Sequence, residues 1–373
     1  MIADVLRSPH KLLNFVKKMR RARTLYGKPY PALLARFFDL LVNEHFTPKD
    51  IFLWDFLGMD SKDEVLRSTL SKPDLIRIQQ RLNPSWAAVL TEDKGIFSSY
   101  CAARGLPAPR LLAVIGPRFG WAPEGAILGA EAQWVKLFDR LPASEIVIKP
   151  SHGAYGRGIL FFGRRGDRWD DHAGRLVTAS EILRALRQDR QFSHFVVEER
   201  VMPHPDLARL SGTDYLQTVR ITTVLSERSG AEAIFGVLKL IGGGASTDNF
   251  AFGSSGNMVS RICMATGRLM WVRTARPGGV GMLEVTHHPV TGAALRDFQI
   301  PQWQAACDLA RHAALRFLPL LTIGWDIAIT PAGPLLIEGN AWWDPPSQMP
   351  WVEAFRPHVE RLLEQPAPRR PRA

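Results

Sequence analysis

Apolar positions along residues 1–90 recur at helical spacing, most clearly over Pro31 to Val42 and Lys62 to Gln80. Lys72-Pro73 and Asn83-Pro84 read as breaks, because proline disfavours helical backbone in the residue before it. The pattern predicts a helical N-terminal domain over 1–90. Thr91-Glu92-Asp93-Lys94 then resembles an N-cap leading into a helix over Ile96 to Arg104. Gly105-Leu106-Pro107-Ala108-Pro109 turns the chain into a strand from Arg110 to Ile115. Beyond that point short β-rich runs dominate, with a further helix expected over Gln302 to Leu318. No internal repeat is visible.

The most informative of these runs are Gly324 to Ile329 and Leu335 to Asn340, joined through Pro331-Ala332-Gly333-Pro334. Alternation with a period of two predicts a β-hairpin, and only Asp326, Glu338 and Asn340 interrupt its apolar positions. These three side chains are oxygen donors suited to Mg²⁺, and such hard ligands imply a phosphate-bearing substrate. The hairpin alone fits equally well an edge with one solvated face.

Four further segments carry chemistry. Ile146-Val147-Ile148-Lys149-Pro150 runs into Gly153-Ala154-Tyr155-Gly156-Arg157-Gly158 and then Ile159 to Phe162, which is strand, glycine-rich loop, strand. Glycines let backbone N–H groups approach an anion, and a lysine at the strand end brings a mobile positive charge. The loop is neither a Walker A motif nor a dinucleotide fingerprint, since an apolar β run follows it, and a structural turn is its plain alternative. Phe195 to Val201 is a short strand ending in Glu198, Glu199 and Arg200, an exit suited to pairing with a purine edge. Arg220 and Lys239 are embedded in the apolar runs Thr218 to Thr222 and Gly236 to Leu240. An unpaired charge there would cost several kcal/mol, so each requires an anionic partner unless its face is solvated.

Taken in order, Asp93-Lys94, Lys149 with its loop, Glu198-Glu199, Arg220, Lys239, Asn249 and the Asp326/Glu338/Asn340 hairpin resemble an ATP-grasp enzyme over Thr91 to Pro350. The chain looks most similar to the sugar-transfer-associated branch, partly through Asp248-Asn249-Phe250 followed by Gly253. The resemblance implies an α+β ATP-grasp fold, in which two α+β subdomains with antiparallel sheets clamp ATP behind the helical domain. The divisions expected are 91–204 for nucleotide binding, 205–355 for metal and catalysis, and 356–373 for a basic tail.

By the same resemblance, Lys149 contacts the α- and β-phosphates and the loop of Gly153, Tyr155, Gly156, Arg157 and Gly158 covers the β- and γ-phosphates. Glu198, Glu199, Arg200 and Val201 form the adenine hinge, and Asp326, Glu338 and Asn340 hold Mg²⁺, with Mn²⁺ as an alternative ion. Arg220 is assigned to the transferring phosphoryl or acyl intermediate and Lys239 to the γ-phosphate. Asn249, in the glycine-rich loop Gly242 to Phe250, is placed at phosphate, metal-bound water or acceptor. The chemistry implied is ligation: ATP phosphorylates a carboxylate, and an amine or similar nucleophile displaces the phosphate. A sugar-linked substrate and polysaccharide biosynthesis follow from the branch alone. A kinase with a hydroxyl acceptor and a non-catalytic nucleotide-binding scaffold are the alternatives. Many relatives carry a second acid just before the final Asn, whereas Glu338-Gly339-Asn340 has one carboxylate, leaving the number of metal ions open.

Composition adds limits. The 373 residues carry 47 basic and 36 acidic side chains, a net charge of +11, with 46% hydrophobic content. That supports two to three ordinary globular cores and anionic partners. The bases concentrate at Lys17 to Arg23 and Arg369 to Arg372, away from the motifs, so no nucleic acid is expected. Leu12, Leu13, Phe15, Val16 and Met19 beside the first cluster are consistent with peripheral membrane contact, or with a packed helix whose basic face is solvated. Gln365-Pro366-Ala367-Pro368 reads as a disordered tail. Cys101, Cys263 and Cys307 lack metal-site spacing and suggest a reducing compartment. With no signal-like start and no apolar run of ~20 residues, a soluble cytoplasmic protein is expected. Trp342 and Trp343 suit either core packing or a sugar ring, and His287-His288 is expected at the surface of a turn.

Overall fold

The computed structural model describes residues 9–60, 69–153, 156–227 and 230–344. Among the described residues six helices precede the first strand, beginning with α1 (Pro9–Tyr26), α2 (Tyr30–Val42), α3 (Pro48–Leu53), α4 (Lys72–Leu82) and α5 (Val89–Glu92). The break expected at Lys72-Pro73 is a helix start. Ser71 caps α4 by accepting from Asp74 N, and Pro73 occupies the first turn, where its missing N–H leaves no intrahelical bond unmade. The part of the predicted Lys62 to Gln80 helix that covers 62–68 lies outside the described residues. Asn83-Pro84 does end α4, and Asn83 then serves as a clamp. Its Nδ2 donates to the carbonyls of Thr322 and Ala341, and its Oδ1 accepts from Leu321 N and Thr322 N.

After α6 (Lys94–Ala103) come β1 (Leu111–Ile115), β2 (Gly120–Trp121), β3 (Ile127–Leu128), α7 (Glu131–Arg140), β4 (Glu145–Pro150), β5 (Leu160–Arg165), β6 (Arg168–Asp170), β7 (Leu176–Val177), α8 (Ala179–Gln188) and β8 (Phe195–Glu199). Their strands form an antiparallel sheet in the order β3-β2-β1-β8-β4-β5-β6-β7. Ile146, Ile148, Phe195 and Val197 bury one face against Trp134 and Phe138 of α7 and Ile182, Leu183 and Leu186 of α8. The pleat sends alternate residues the other way, so Val147, Lys149 and Glu198 face a cleft.

The second sheet follows α9 (Pro205–Ser211) and comprises β9 (Thr218–Ser226), β10 (Gly230–Leu240), β11 (Met258–Ile262), β12 (Leu269–Ala275), β13 (Met282–Glu284), β14 (Thr322–Thr330) and β15 (Gly333–Asn340). The order is β13-β12-β11-β10-β9-β14-β15. Val219, Ile221, Leu238, Leu240, Trp325 and Ile327 pack on α10 (Trp303–Arg316), whose Ala306, Ala310, Ala313 and Ala314 allow close approach. Phe97 and Cys101 of α6 join this same core, so α6 lies beneath the second sheet.

The N-terminal helices have a core of their own. Leu33, Phe37, Ile51 and Phe52 pack with Val280 and Met282 beside the outer strands of the second sheet. Asp55 fastens the contact by accepting from Tyr26 Oη at 2.9 Å and Met282 N at 3.1 Å. Part of the basic run on α1 also turns inward. Lys18 lies over the Phe52 ring, and Arg21 Nη1 occupies the space a Cβ at Gly278 would need, at a residue whose φ is +90°. Leu12, Leu13 and Val16 are exposed. No described helix is long and apolar enough to cross a membrane.

His288 departs from the surface position expected for the pair. It is buried with Nε2 against the Ile241 carbonyl at 2.7 Å, while His287 stays exposed. The turn folds back on β10, and one imidazole satisfies a carbonyl that would otherwise be buried without a partner.

Candidate functional site

A cavity of about 570 Å³ separates the polar faces of the two sheets. The strand register explains which residues line its floor. Asn340, Gly324, Thr222 and Phe235 form one row across β15, β14, β9 and β10, and Glu338, Asp326, Arg220 and Val237 form the next. Lys239 follows two residues beyond Val237 on the same face. The hairpin expected from Asp326, Glu338 and Asn340 is therefore present, with all three side chains lining the cavity.

Arg220 and Asp326 sit directly opposite one another. Arg220 Nε and Nη2 donate to the two Asp326 oxygens at 2.7 Å each, and Lys239 Nζ donates to Oδ2 at 2.7 Å. Burial on its own would raise the Asp326 carboxyl, yet Arg220 and Lys239 hold it well below the usual carboxylate range. The anionic partner that the embedded Arg220 and Lys239 require is thus supplied by the protein itself. Asp248 lies 3.9 Å from Lys239 and accepts from Thr218 N and Oγ1 at 2.8 and 2.6 Å. Burial pushes its carboxyl up, Lys239 opposes the shift, and Asp326 adds to it.

On the opposite wall Lys149 Nζ meets Glu198 Oε2 at 2.5 Å, and Ser98 Oγ donates to Glu198 Oε1 at 2.8 Å. Glu198 is 2% exposed, so its carboxylate orients Lys149, whereas Glu199 is exposed at the strand end. The Arg200 guanidinium is likewise committed inward, to Glu145 at 2.9 Å and Asp214 at 3.0 Å. Arg200 and Val201 both line the cavity.

Gly153, Gly156 and Arg157 of the glycine-rich loop line the cavity; Tyr155 lies outside the described residues, and Gly158 is exposed beside them. Gly156 adopts φ +68°, and a Cβ there would meet Thr247 Oγ1 at 3.0 Å, so this loop touches the Gly242 to Phe250 loop across the cleft. Asn249 lines the cavity, but its Oδ1 accepts from Ala251 N at 3.1 Å to close a local turn.

Lys94, which the sequence places at a helix start and at the head of the motif order without a role of its own, lines the cavity. Its Nζ lies 3.0 Å from the Gly153 carbonyl and 3.4 Å from Glu338 Oε2, so it joins the glycine-rich loop to the hairpin. Asp93, the cap of α6, accepts from Ile96 N and from Ser151 Oγ. Trp343 is core, whereas Trp342 lines the cavity.

No group of three or more His, Cys, Asp or Glu side chains converges as a metal site among the described residues. Of the three expected donors, Asp326 is paired with Arg220 and Lys239, Glu338 lies 3.4 Å from Lys94, and Asn340 offers its amide oxygen. The Asn340 Nδ2 is turned to the Gly324 carbonyl at 3.2 Å. One carboxylate with an amide fits Mg²⁺, which takes few protein ligands and completes its shell with water and phosphate oxygens.

A sequence-family profile described as sugar-transfer associated ATP-grasp matches residues 75–362. Similar solved structures include the D-alanine-D-alanine ligase of Coxiella burnetii, at 14% identity and a TM-score of 0.38, covering 74% of this chain and 57% of that one. The N5-carboxyaminoimidazole synthase of Aspergillus clavatus is 13% identical with a TM-score of 0.42, covering 80% and 59%. The D-alanyl-alanine synthetase A of Vibrio cholerae is 13% identical with a TM-score of 0.41, covering 74% and 65%. The chain thus spans a little over half to two thirds of these proteins. No curated protein sequence matches it.

Proposed function

The chain belongs to the sugar-transfer associated ATP-grasp family, and from that premise we propose that it is an ATP- and Mg²⁺-dependent ligase. It would activate a carboxylate as an acylphosphate for attack by an amine or similar nucleophile. The observation that carries this reading is the convergence of Lys149 from one sheet with Arg220, Lys239, Glu338 and Asn340 from the other on a single cavity. Phosphoryl transfer needs positioning and charge neutralisation more than covalent help, and this arrangement supplies both.

In the proposed mechanism a carboxylate oxygen attacks the γ-phosphorus of ATP and the bond to the β-phosphate oxygen breaks, releasing ADP. The nucleophile then attacks the acyl carbon, the acyl–phosphate bond breaks, and inorganic phosphate leaves as the nucleophile loses its proton to solvent. Lys149, oriented by Glu198, binds the α- and β-phosphates. The Gly153 to Gly158 loop covers the β- and γ-phosphates and excludes water, and Glu199 to Val201 holds the adenine edge. Arg220 and Lys239, held in place by Asp326 with Asp248 3.9 Å from Lys239, would supply positive charge to the transferring group. Asn249 orders the loop over the acceptor. Glu338 and Asn340 would hold Mg²⁺, which when bound neutralises phosphate charge.

Calorimetric titration with a non-hydrolysable ATP analogue, with and without Mg²⁺, tests the nucleotide site. Mg²⁺-dependent binding, followed by carboxylate- and amine-dependent ADP release, is the expected result. Binding without ADP release across a broad panel would favour a nucleotide-binding scaffold, and phosphorylation of a hydroxyl would favour a kinase. We also propose that α1 makes peripheral contact with an anionic bilayer. Exposed Leu12, Leu13 and Val16 lie on the same helix as Lys17, Arg20 and Arg23, which supports that reading.

A further inference from the structure

The loop between β10 and β11 brings to the edge of the cationic floor a carboxylate that phosphoryl transfer leaves unused. β9 and β10 pair Val219 with Leu238, so Thr218 and Lys239 fall beside one another one step further on, both lining the cavity. Asp248 closes that corner. Its Oδ2 accepts from Thr218 N at 2.8 Å and from Thr218 Oγ1 at 2.6 Å, which anchors the carboxylate by one oxygen. Its Oδ1 takes no hydrogen bond among the described residues and lies 3.9 Å from Lys239 Nζ, at the cavity wall. Lys239 donates to Asp326 instead, at 2.7 Å.

The loop is tied on both flanks of Asp248. Buried Asn257 donates from Nδ2 to the carbonyls of Thr247 and Asn249 at 2.7 and 2.9 Å, and its Oδ1 accepts from Gly242 N at 3.1 Å. From the N-terminal unit, the Trp54 ring lies beside Phe250 with centroids 6.0 Å apart. A group held in this way keeps its place while substrates turn over. Burial pushes the Asp248 carboxyl up, against Lys239 and with Asp326, and a raised carboxyl takes a proton more effectively near neutral pH. Arg220, the remaining charge of this floor, is paired with Asp326. The strand order β15-β14-β9-β10 sets Glu338 and Asn340 on the far side of Arg220 and Lys239 from Asp248. A nucleophile at Asp248 therefore meets a group held on the floor from the side away from the proposed metal donors.

Resting on the ligase reading above, we propose that Asp248 is a further catalytic residue, the base that takes a proton from the attacking amine in the second step. An alkyl amine reaches the site as its ammonium form, as a lysine side chain stands at neutral pH, and has no lone pair to offer the acyl carbon. Asp248 Oδ1 removes the first proton, and the freed lone pair forms the C–N bond. The acyl–phosphate C–O bond breaks with its electron pair on the phosphate, which takes the second proton from nitrogen. Asp248 passes its own proton to solvent as the amide and inorganic phosphate depart. The first step needs no such base, because a carboxylate attacks phosphorus without losing a proton.

The test compares two nucleophiles on the full chain with ATP, Mg²⁺ and the carboxylate that supports ADP release in the panel above. One is the most active alkyl amine of that panel. The other is hydroxylamine, which is largely unprotonated at neutral pH because its hydroxyl lowers the basicity of the nitrogen. Asp248→Asn keeps the size of the side chain and an oxygen for Thr218. It should slow amide formation by roughly a hundredfold and hydroxamate formation by less than about tenfold, with analogue affinity retained. Raising the pH toward the amine's own range should narrow the gap to wild type for the alkyl amine alone. Equal losses with both nucleophiles would make Asp248 a support for Lys239 and overturn the proposal, as would undiminished amide formation. Thr218→Val, which removes one anchor and keeps the carboxylate, should show the same preference on a smaller scale. If Asp248→Asn does not fold, that variant decides, and parallel losses in it overturn the proposal. A wild type that releases no ADP with any member of the panel would instead overturn the ligase reading, before any variant is compared.

Discussion

Arg220 and Asp326 face each other across adjacent strands and meet in a two-pronged ion pair, with both contacts at 2.7 Å. Lys239 joins from the next strand, so one carboxylate orders two cations on the floor of the cavity. The planar guanidinium matches the carboxylate in plane, which fixes its direction as an ammonium would not. Asp326 is thereby the organiser of the cationic floor as well as a neighbour of the proposed metal donors.

That double role predicts the behaviour of Asp326→Ala. Arg220 and Lys239 would be left without their carboxylate in a largely buried setting, a loss on the order of 3–5 kcal/mol. A clear fall in Tm is therefore expected together with loss of turnover. Adding Arg220→Met to Asp326→Ala should return part of the stability and none of the activity. An unchanged Tm in the single variant would show that the pair carries no structural load.

The pH dependence of folding follows with a definite sign. The Asp326 carboxyl is depressed in the folded protein, so its contribution is complete above the ordinary carboxylate range and is lost as pH falls toward the folded value. Thermal melts of the wild type should therefore drop between about pH 5 and pH 2, and Asp326→Asn should show a shallower acid slope. Parallel acid slopes for the two proteins would remove Asp326 as the source.

Lys149 and Glu198 form a second pair of this kind, on the opposite wall. Lys149→Met should lower affinity for the ATP analogue by roughly tenfold or more, about 1.4 kcal/mol, through loss of a phosphate contact. Glu198→Gln keeps the lysine but releases its orientation, and a smaller loss is expected. Calorimetry on both variants checks the order, and equal affinity in Lys149→Met and wild type would defeat the phosphate role.

Much of this site was legible in the chain because its polar residues interrupt otherwise apolar strands. Asp326, Glu338 and Asn340 stand out for that reason, as do Lys149, Arg220 and Lys239. The requirement that Arg220 and Lys239 have an anionic partner also held, but the partner is Asp326, because strand register places residue 326 opposite residue 220. Register between strands a hundred residues apart has no local signature. The same holds for Trp54 beside Phe250, and for Asn83, whose place before a proline reads as a break while its amide ties together β14 and the end of β15. Glu198, expected at the nucleotide, lines the cavity, and its pairing with Ser98 and Lys149 is a long-range contact of the same kind.

The three thiols should differ sharply in reactivity. Burial pushes Cys101 up to about 12 and Cys307 up to about 11, whereas hydrogen bonds from Thr266 draw the Cys263 thiol down. Thiolate is the reactive form, so iodoacetamide at neutral pH should label Cys263 first in the folded protein. Peptide mass spectrometry reads the order, and faster labelling of Cys101 or Cys307 would contradict their burial.

Contact between α1 and a bilayer makes its own demand. Leu13→Glu with Val16→Glu alters two exposed positions and leaves the buried Met19 and Ala22 in place. Co-sedimentation with vesicles containing anionic lipid should fall strongly in this variant, and wild-type sedimentation should weaken with added salt. Wild-type protein that stays in the supernatant at low salt would end the idea.

The proposed metal donors give the sharpest separation of roles. Glu338 and Asn340 lie in adjacent rows of the hairpin, and Lys94 touches Glu338 at 3.4 Å while also holding the Gly153 carbonyl. Glu338→Gln removes the charge without changing the shape, so the fold should be retained, in contrast to Asp326→Ala. The Mg²⁺ concentration needed for half-maximal ADP release should rise by roughly tenfold or more, because the remaining ligands are an amide, water and phosphate. Mn²⁺, which binds oxygen donors more tightly in the usual divalent order, should restore part of the loss at lower concentration. Lys94→Ala tests the neighbouring contact: it frees Glu338 for the cation and unties the glycine-rich loop, so the Mg²⁺ requirement should fall or hold while analogue affinity declines. Both titrations are read on the same protein preparations. A Glu338→Gln variant with an unchanged Mg²⁺ requirement would take Glu338 out of the metal site.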